Sequence, residues 1–158
     1  YTGDGGPKTR EEMLAILRQR LTPLAECKEV ALRFPESAPN ASIDNLRANL
    51  LVLALFNLGQ NAIEATPKHG EIQFTCDLDN AKGIAFRVRD GGSGLPEAML
   101  DAPFAPRKSQ KQGGTGVGLA ISQQLAERAG AELTLDSNGP EGACFLLKTL
   151  LESNSEQC

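Results

Sequence analysis

The chain has 158 residues, 41% of them hydrophobic, and a formal net charge of −4. This length supports one domain with a substantial hydrophobic core. The negative charge argues against a nucleic-acid-binding protein, whose surface is usually basic, and no apolar run reaches the ~20 residues of a membrane-spanning helix. Four scattered cysteines without a C-x-x-C pair favour free thiols in a reducing cytosol over a metal site or a disulfide framework. Because the chain opens with Tyr1 and not with Met, we interpret it as a fragment of a longer protein. We expect the fragment to be cytoplasmic, whether or not its parent is anchored in a membrane.

The first helix is predicted to begin after Thr9. Thr9 and Glu12 match a capping box, and the glycine-rich residues 1–8 ahead of them are expected to be flexible. Pro23 is expected to kink or end this helix, and alternating apolar residues predict a strand over 28–34. The apolar face of the helix comprises Met13, Leu14, Leu17, Leu21 and Leu24.

A long second helix is predicted over 43–65. Asn57 and Asn61 lie four residues apart, so they are neighbours on one helix face, at the edge of the apolar stripe. Partly buried amides need partners. They either bond to nearby backbone, or their carbonyl oxygens meet a hard cation such as Mg²⁺. The apolar stripe comprises Leu51, Leu55, Leu58, Ala62 and Ala65.

A β-hairpin with one buried face is predicted next, from apolar alternation over 72–78 and 84–88. Its second strand ends at Asp90, and Gly91, Gly92 and Gly94 follow. An aspartate in this place is either a turn residue or a carboxylate that projects into a pocket kept open by the glycines.

Residues 101–115 show no periodicity, which is typical of a lid or a linker. Lys108 belongs to a basic cluster that is either a solvated face or a phosphate clamp. Glycines at 114, 116 and 118 then precede a helix. Such a loop exposes backbone N–H groups at a helix start and suits an anionic phosphate, although a plain flexible loop has the same composition. The spacing matches neither G-x-x-x-x-G-K-[ST] nor G-x-G-x-x-G.

The closing helix is predicted over 117–129 and stops at Gly130. A strand around 133–135 and a last strand over 143–150 follow, and the polar tail 151–158 is expected to fray. The fold class is therefore a two-layer α/β sandwich, with about five strands in a mixed, mostly antiparallel sheet and three helices on one face. The buried face of the closing helix is predicted to comprise Val117, Ile121, Leu125 and Ala129.

Four segments in this order resemble the motifs of the catalytic ATP-binding domain of sensor histidine kinases, in the GHKL superfamily with the Bergerat fold. Residues 57–66 resemble its N box and 90–94 its D-x-G-x-G box. Residues 102–108 resemble its F box and 114–119 its second glycine box. The resemblance covers roughly residues 9–150, which we interpret as the ATP-binding domain between two flexible ends.

The resemblance implies ATP and Mg²⁺ as cofactors. It assigns Asp90 to the adenine amino group, Asn61 to Mg²⁺, and Asn57 and Lys108 to the reacting phosphates as the catalytic pair. The glycines of the D-x-G-x-G box would let adenine approach the backbone, and the loop before the closing helix would face the phosphates. The remaining residues implied in nucleotide binding are Gly92, Gly94, Leu95, Gly114, Thr115, Gly116, Val117, Gly118 and Leu119.

The resemblance also implies the reaction. Asn57 stands where hydrolysing relatives carry a water-activating glutamate, and an amide cannot act as a general base. The sequence therefore favours transfer of the γ-phosphate to a histidine on a dimerisation domain outside this chain, because His69 lies inside the ATP-binding domain. A response regulator receiver domain would be an indirect partner. We expect a monomeric fragment of a homodimeric parent, with no contact to nucleic acid or membrane.

Two alternatives remain open at this point. Asp101 occupies the position of the first aromatic residue of the F box. This departure favours a nucleotide-sensing regulatory module that binds ATP or ADP without transfer. An anti-sigma serine kinase, with a small antagonist protein as its substrate, is the third reading.

Overall fold

The computed structural model describes residues 7–36, 42–79, 83–105 and 118–150. Over these residues, three helices cover one face of a mixed five-stranded sheet, as predicted. The helices are α1 (Arg10–Lys28), α2 (Asn45–Ala65) and α3 (Gly118–Arg128), and the strands are β1 (Lys8–Thr9), β2 (Ala31–Arg33), β3 (Ser42–Ile43), β4 (Glu71–Asp79), β5 (Gly83–Arg89), β6 (Glu132–Gly139) and β7 (Gly142–Leu150).

The large sheet has the strand order β2-β4-β5-β7-β6. Only β2 and β4 pair in parallel, and the β4–β5 hairpin has Cys76 opposite Phe86. Alternate residues of these strands point towards the helices, and among them Ile72 and Leu147 are fully buried. The period-two apolar pattern thus builds the sheet side of the core.

Helix α1 begins with the predicted capping box. The Thr9 hydroxyl accepts from the Glu12 N–H at 3.0 Å, and the Glu12 carboxylate accepts from the Thr9 N–H at 2.8 Å. The helix does not end at Pro23 but continues to Lys28, so β2 is shorter than the strand predicted over 28–34. Proline removes one helical donor, while Leu21 and Ala25 on either side of it are buried in the core and hold the helix together.

Helix α2 crosses the middle of the layer and packs against both other helices and the sheet. Its buried face contains Leu51, Leu55, Leu58 and Ala62 of the predicted stripe, whereas Ala65, in the last turn, is exposed. Arg47 ties its first turn to two other elements: the guanidinium donates to the Ala129 carbonyl at 3.2 Å and to the Thr149 hydroxyl at 2.7 Å. These contacts set how α3 and β7 lie against α2.

Helix α3 corrects one predicted burial. Ile121 is 40% exposed, whereas Ser122, one residue later, is fully buried. The prediction assumed a single apolar stripe facing the sheet. Helix α3 packs along α2, and its buried residues are the small side chains Ala120, Ser122 and Ala126. The buried face of α3 is therefore rotated away from Ile121.

A small antiparallel sheet joins β1 to β3, with Lys8 opposite Ile43 and Thr9 opposite Ser42. It has no sequence signature, because two-residue strands are too short to show alternation. Of the predicted cysteines, Cys27, Cys76 and Cys144 lie in the described residues and are free thiols. Within the described residues, no helix is long and apolar enough to cross a bilayer.

Candidate nucleotide-binding site

Asp90 lies directly after β5 and is only 8% exposed. Its Oδ1 accepts two backbone hydrogen bonds, from the Gly92 N–H at 2.9 Å and from the Ala143 N–H at 3.1 Å. No described residue donates to Oδ2. The carboxylate is therefore held rigidly by one oxygen, while the other remains available as an acceptor for a ligand.

Two glycines allow this arrangement. Gly142, at the start of β7, has a φ of 123°, and a Cβ there would lie 2.9 Å from Asp90 Oδ1 and collide with the Asp90 carbonyl. A Cβ at Gly92 would collide with the Ala65 carbonyl at the end of α2. Side chains at either position would push the aspartate loop away from its neighbours.

Asn138 holds the next part of the loop. Its Oδ1 accepts from the Leu95 N–H at 2.7 Å, and its Nδ2 donates to the Leu95 carbonyl at 3.3 Å. Gly94, beside Leu95, has a φ of 88° and lies against Gly139. Asn138 and Gly142 carry no functional signal in the sequence, because both belong to a turn that lies close to Asp90 only after β7 pairs with β5.

Thr66 joins α2 to the same loop and was not predicted as a site residue. Its side chain is fully buried, donates to the Ala62 carbonyl at 2.7 Å and accepts from the Gly91 N–H at 3.0 Å. One hydroxyl thus connects the last turn of α2 with the residue after Asp90. Its place as the last residue of the N-box-like segment was the available signal.

The two α2 amides are half-buried, as predicted, but they differ in their contacts. Asn57 Nδ2 donates to the Leu53 carbonyl at 3.0 Å, within its own helix. Asn61 Nδ2 is buried and has no hydrogen-bond partner among the described residues. A buried amide donor without a partner is costly, so Asn61 is a candidate for contact with a ligand.

Asn61 lies against the first residue of α3. A Cβ built at Gly118 would be 2.8 Å from both Oδ1 and Nδ2 of Asn61. Asn61 of the N-box-like segment therefore meets Gly118, the first described residue of the glycine-box-like segment. Leu119, next in α3, is half-buried and packs against the core. The start of a helix is a favourable place for an anion.

Several predicted site residues lie outside the described ranges: Lys108, Gly114, Thr115, Gly116 and Val117. The F-box-like segment is described as far as residue 105. Within it, the Phe104 ring packs on Phe145 of β7 with centroids 5.7 Å apart, while Asp101 is exposed. His69, in an exposed turn, stays a surface residue as predicted.

The polar groups of the described residues are of the kinds that bind a magnesium–nucleotide complex. The acceptor oxygen of Asp90 suits an amino group, and the unsatisfied amide of Asn61 offers a donor and a neutral oxygen beside a helix start. Neutral amide oxygens are suitable Mg²⁺ ligands when the substrate phosphates supply the negative charge.

A mixed five-stranded sheet covered by three helices, with such an aspartate and such an amide, defines an ATPase domain of the histidine kinase type. Residues 47–153 match the family model described as "Histidine kinase-, DNA gyrase B-, and HSP90-like ATPase". The chain belongs to this family.

Individual relatives agree with that assignment. The chain is 36% identical over 125 residues to the sensor histidine kinase ZraS of Escherichia coli O157:H7, covering 78% of this chain and 26% of that protein. It is 33% identical over 146 residues to the C4-dicarboxylate transport sensor protein DctB of Rhizobium meliloti, covering 89% and 22%. The chain thus spans about a quarter of the length of these relatives.

Solved structures share the fold. The nucleotide-free catalytic domain of the histidine kinase ThkA superposes with a TM-score of 0.74 at 25% identity, covering 92% of this chain and 94% of that one. The expected Bergerat fold and the expected relationship to sensor histidine kinases are confirmed.

Proposed function

We propose that this chain is the catalytic domain of a two-component sensor histidine kinase. It binds ATP with Mg²⁺ and transfers the γ-phosphate to a histidine on the dimerisation domain of its parent protein. The contact between Asn61 and Gly118 carries the proposal, because it brings the half-buried amide of the N-box-like segment against the first described residue of the glycine-box-like segment. The resemblance of residues 114–119 to the second glycine box supports the same conclusion.

In this proposal Asp90 selects adenine, since its free oxygen accepts a hydrogen bond from the exocyclic amine. Asn61 and the α3 N-terminus bind the Mg²⁺–phosphate end, and the metal supplies charge neutralisation there. Asn57 and Lys108 would contact the phosphates that react. The chain's own contribution is positioning and electrostatic stabilisation, which is the main protein contribution to phosphoryl transfer.

The transfer forms a bond between phosphorus and an imidazole nitrogen of the partner histidine and breaks the bond between phosphorus and the β,γ-bridging oxygen. ADP leaves with that oxygen. Hydrolysis would need a base to activate water, and Asn57 cannot remove a proton. The site therefore favours a nucleophile supplied by another domain over water.

Radiolabelled ATP tests this proposal. The isolated chain is expected to bind ATP, to release little ADP and not to label itself. When mixed with the histidine-bearing dimerisation domain of its own parent, it is expected to label that domain. Lys108→Ala should slow labelling more than it weakens ATP binding, because a cation at the γ-phosphate stabilises mainly the transition state. Steady ADP release by the chain alone would instead indicate a hydrolase.

A nucleotide-sensing module is the second candidate. The exposed Asp101, at the first aromatic position of the F box, favours it, because this side chain adds no aromatic packing to the lid. An intact chain that binds ATP and never labels its own partner domain would support this candidate and contradict the kinase proposal.

A further inference from the structure

Helix α2 carries a row of leucines on its outer surface. Leu46, Leu50 and Leu53 follow one another at spacings of four and three residues and so share one helix face. Leu46 is 70% exposed and Leu53 41%, while Leu50 is half-buried against the core. We call these three residues the α2 ridge. The opposite face of α2 is already buried, so the ridge is a second apolar stripe on the exposed side of the helix.

The helix that carries the ridge contains almost no charged residues. From Asn45 to Ile63, Arg47 is the one charged residue, and it is bound to Asp44, Ala129 and Thr149. A surface of this composition suits an apolar protein segment and offers nothing for a phosphate-rich ligand such as a nucleic acid.

The ridge leads into the candidate site. Asn57 lies four residues after Leu53 on the same face, and Asn61 lies four residues after Asn57. A segment lying along the ridge therefore reaches the α2 amides at one end. The ridge and the proposed phosphate-binding residues form one continuous surface of the same helix.

The start of the domain lies at the other end of the ridge. Strand β1 pairs with β3, which immediately precedes α2. The Lys8 ammonium donates to Asn45 Oδ1 at 2.9 Å, and Asn45 is the neighbour of Leu46. A domain joined ahead of residue 1 would thus be tethered close to the ridge. Tethering raises the effective concentration of a partner and so adds to the affinity that the apolar contact has by itself.

We propose that the α2 ridge docks the histidine-bearing helix of the parent's dimerisation domain and holds it against the end of α2 that carries Asn57 and Asn61. This inference rests on the proposed kinase function. It adds a specific contact surface to it: leucine side chains of the partner helix pack on Leu46, Leu50 and Leu53, and the phosphoacceptor lies beyond Leu53 on the side of Asn57.

The double variant Leu46→Gln, Leu53→Gln tests the ridge. Glutamine keeps the helix propensity of leucine but removes apolar surface. In phosphotransfer to the separately supplied dimerisation domain at saturating ATP, the KM for that domain should rise about ten-fold or more. ATP affinity, measured by calorimetry, should stay within two-fold of wild type. Leu24→Gln on α1 is the matched control, since Leu24 is 38% exposed, and it should change neither quantity.

A direct titration of the dimerisation domain into the chain distinguishes failure of the kinase function from failure of the ridge as a docking surface. If the wild type binds this domain without labelling it, the kinase function fails, and weaker binding by the double variant still supports the ridge. If the wild type and the double variant label and bind the domain equally, the ridge is not the docking surface. Equal weakening by Leu24→Gln would also overturn it. So would sedimentation of the chain alone as a dimer that the double variant dissociates, since a second copy would then cover the ridge.

Discussion

At the scale of single residues, Asp90 shows how backbone contacts hold one oxygen of a buried carboxylate and leave the other open. The N–H groups of Gly92 and Ala143 both donate to Oδ1. An asparagine in this position would keep its carbonyl oxygen towards these donors, because the flipped amide would put an NH₂ group against two N–H groups. Its NH₂ would therefore take the place of Oδ2 and face the ligand.

We predict that Asp90→Asn folds with nearly wild-type thermal stability but binds ATP at least ten-fold more weakly, since a donor then faces the adenine amine. The same variant should lose less affinity for inosine triphosphate, whose ring carbonyl accepts from the new NH₂. Calorimetric titrations with both nucleotides check this. Equal losses for the two would remove Asp90 from base recognition.

Asn61 gives a second prediction at this scale. Asn61→Ala should reduce ATP binding in the presence of Mg²⁺ by roughly ten-fold or more, and affect binding without Mg²⁺ much less, because it removes the proposed metal ligand. Asn57→Ala is the matched comparison, since the Asn57 amide already bonds within its helix at 3.0 Å. Thermal shift titrations with ATP, with and without Mg²⁺, measure both variants. Equal losses under both conditions would make Asn61 a structural amide.

Cys76 gives a prediction about alkaline stability. Burial raises the pKa of this thiol from 9.0 to about 11, although the positive charge of Arg10 acts to lower it. The unfolded chain releases the thiol proton above pH 9, while the folded chain keeps it until about pH 11. The contribution of Cys76 to the free energy of unfolding is therefore complete below pH 9 and is lost as the pH rises through this window.

Replacing Cys76 by valine, which has a similar size, should remove that dependence. The stability difference between the Cys76→Val variant and the wild type, measured by denaturant unfolding, should shift in favour of the variant between pH 9 and 11. A constant difference over this range would contradict the raised pKa. Buffers at neutral pH should show no such change, because both forms are then uncharged at this position.

At the scale of secondary-structure elements, Thr66 couples α2 to the loop after β5. Thr66→Val keeps the shape but leaves the Gly91 N–H without its acceptor at 3.0 Å. We predict a loss of about 1–2 kcal/mol in the free energy of unfolding and weaker ATP binding, because the loop holding Asp90 loses its tie to α2. Thr22→Val is the control, since the Thr22 hydroxyl also donates to a carbonyl one helical turn earlier but lies far along α1 from this loop. Equal effects on ATP binding would reject the coupling.

A second prediction at the scale of secondary-structure elements concerns the start of α3. Gly118→Ala would put a Cβ 2.8 Å from the Asn61 amide. The amide must move, so Mg²⁺-dependent ATP binding should fall while thermal stability changes little. Gly130→Ala, at the other end of α3, meets no atom within 4 Å. Its φ of 74° is strained for alanine, so this control should lower stability and leave ATP binding unchanged.

At the scale of the whole molecule, the site spans segments distant in sequence and is held by few contacts. Asn61 on α2 meets Gly118 on α3, and Asp90 after β5 meets Ala143 on β7. These pairs depend on how the helices stack and how the strands pair. A ligand that binds both pairs should stabilise the complete domain and not one element alone.

The sequence by itself was enough to predict the two layers of the fold and the succession of helices and strands along the chain. Alternating apolar residues at 72–78 marked β4, helical spacing of Leu51, Leu55 and Leu58 marked α2, and Thr9 with Glu12 marked the start of α1. These signals are local, because burial of one face of a helix or strand imposes its period on the chain. The motif segments were also visible in sequence, because each is a short contiguous run.

Only the tertiary structure decided which of these residues meet and which surface remains open. The exposure of Ile121 depends on the rotation of α3 against α2, and the exposed leucines of the α2 ridge look in sequence like any other core residues. The bonds of Thr66 and Asn138 and the need for glycine at 142 follow from strand pairing and loop approach over long sequence separations. Local periodicity carries no information on such distances, since they are set by the packing of whole elements against one another.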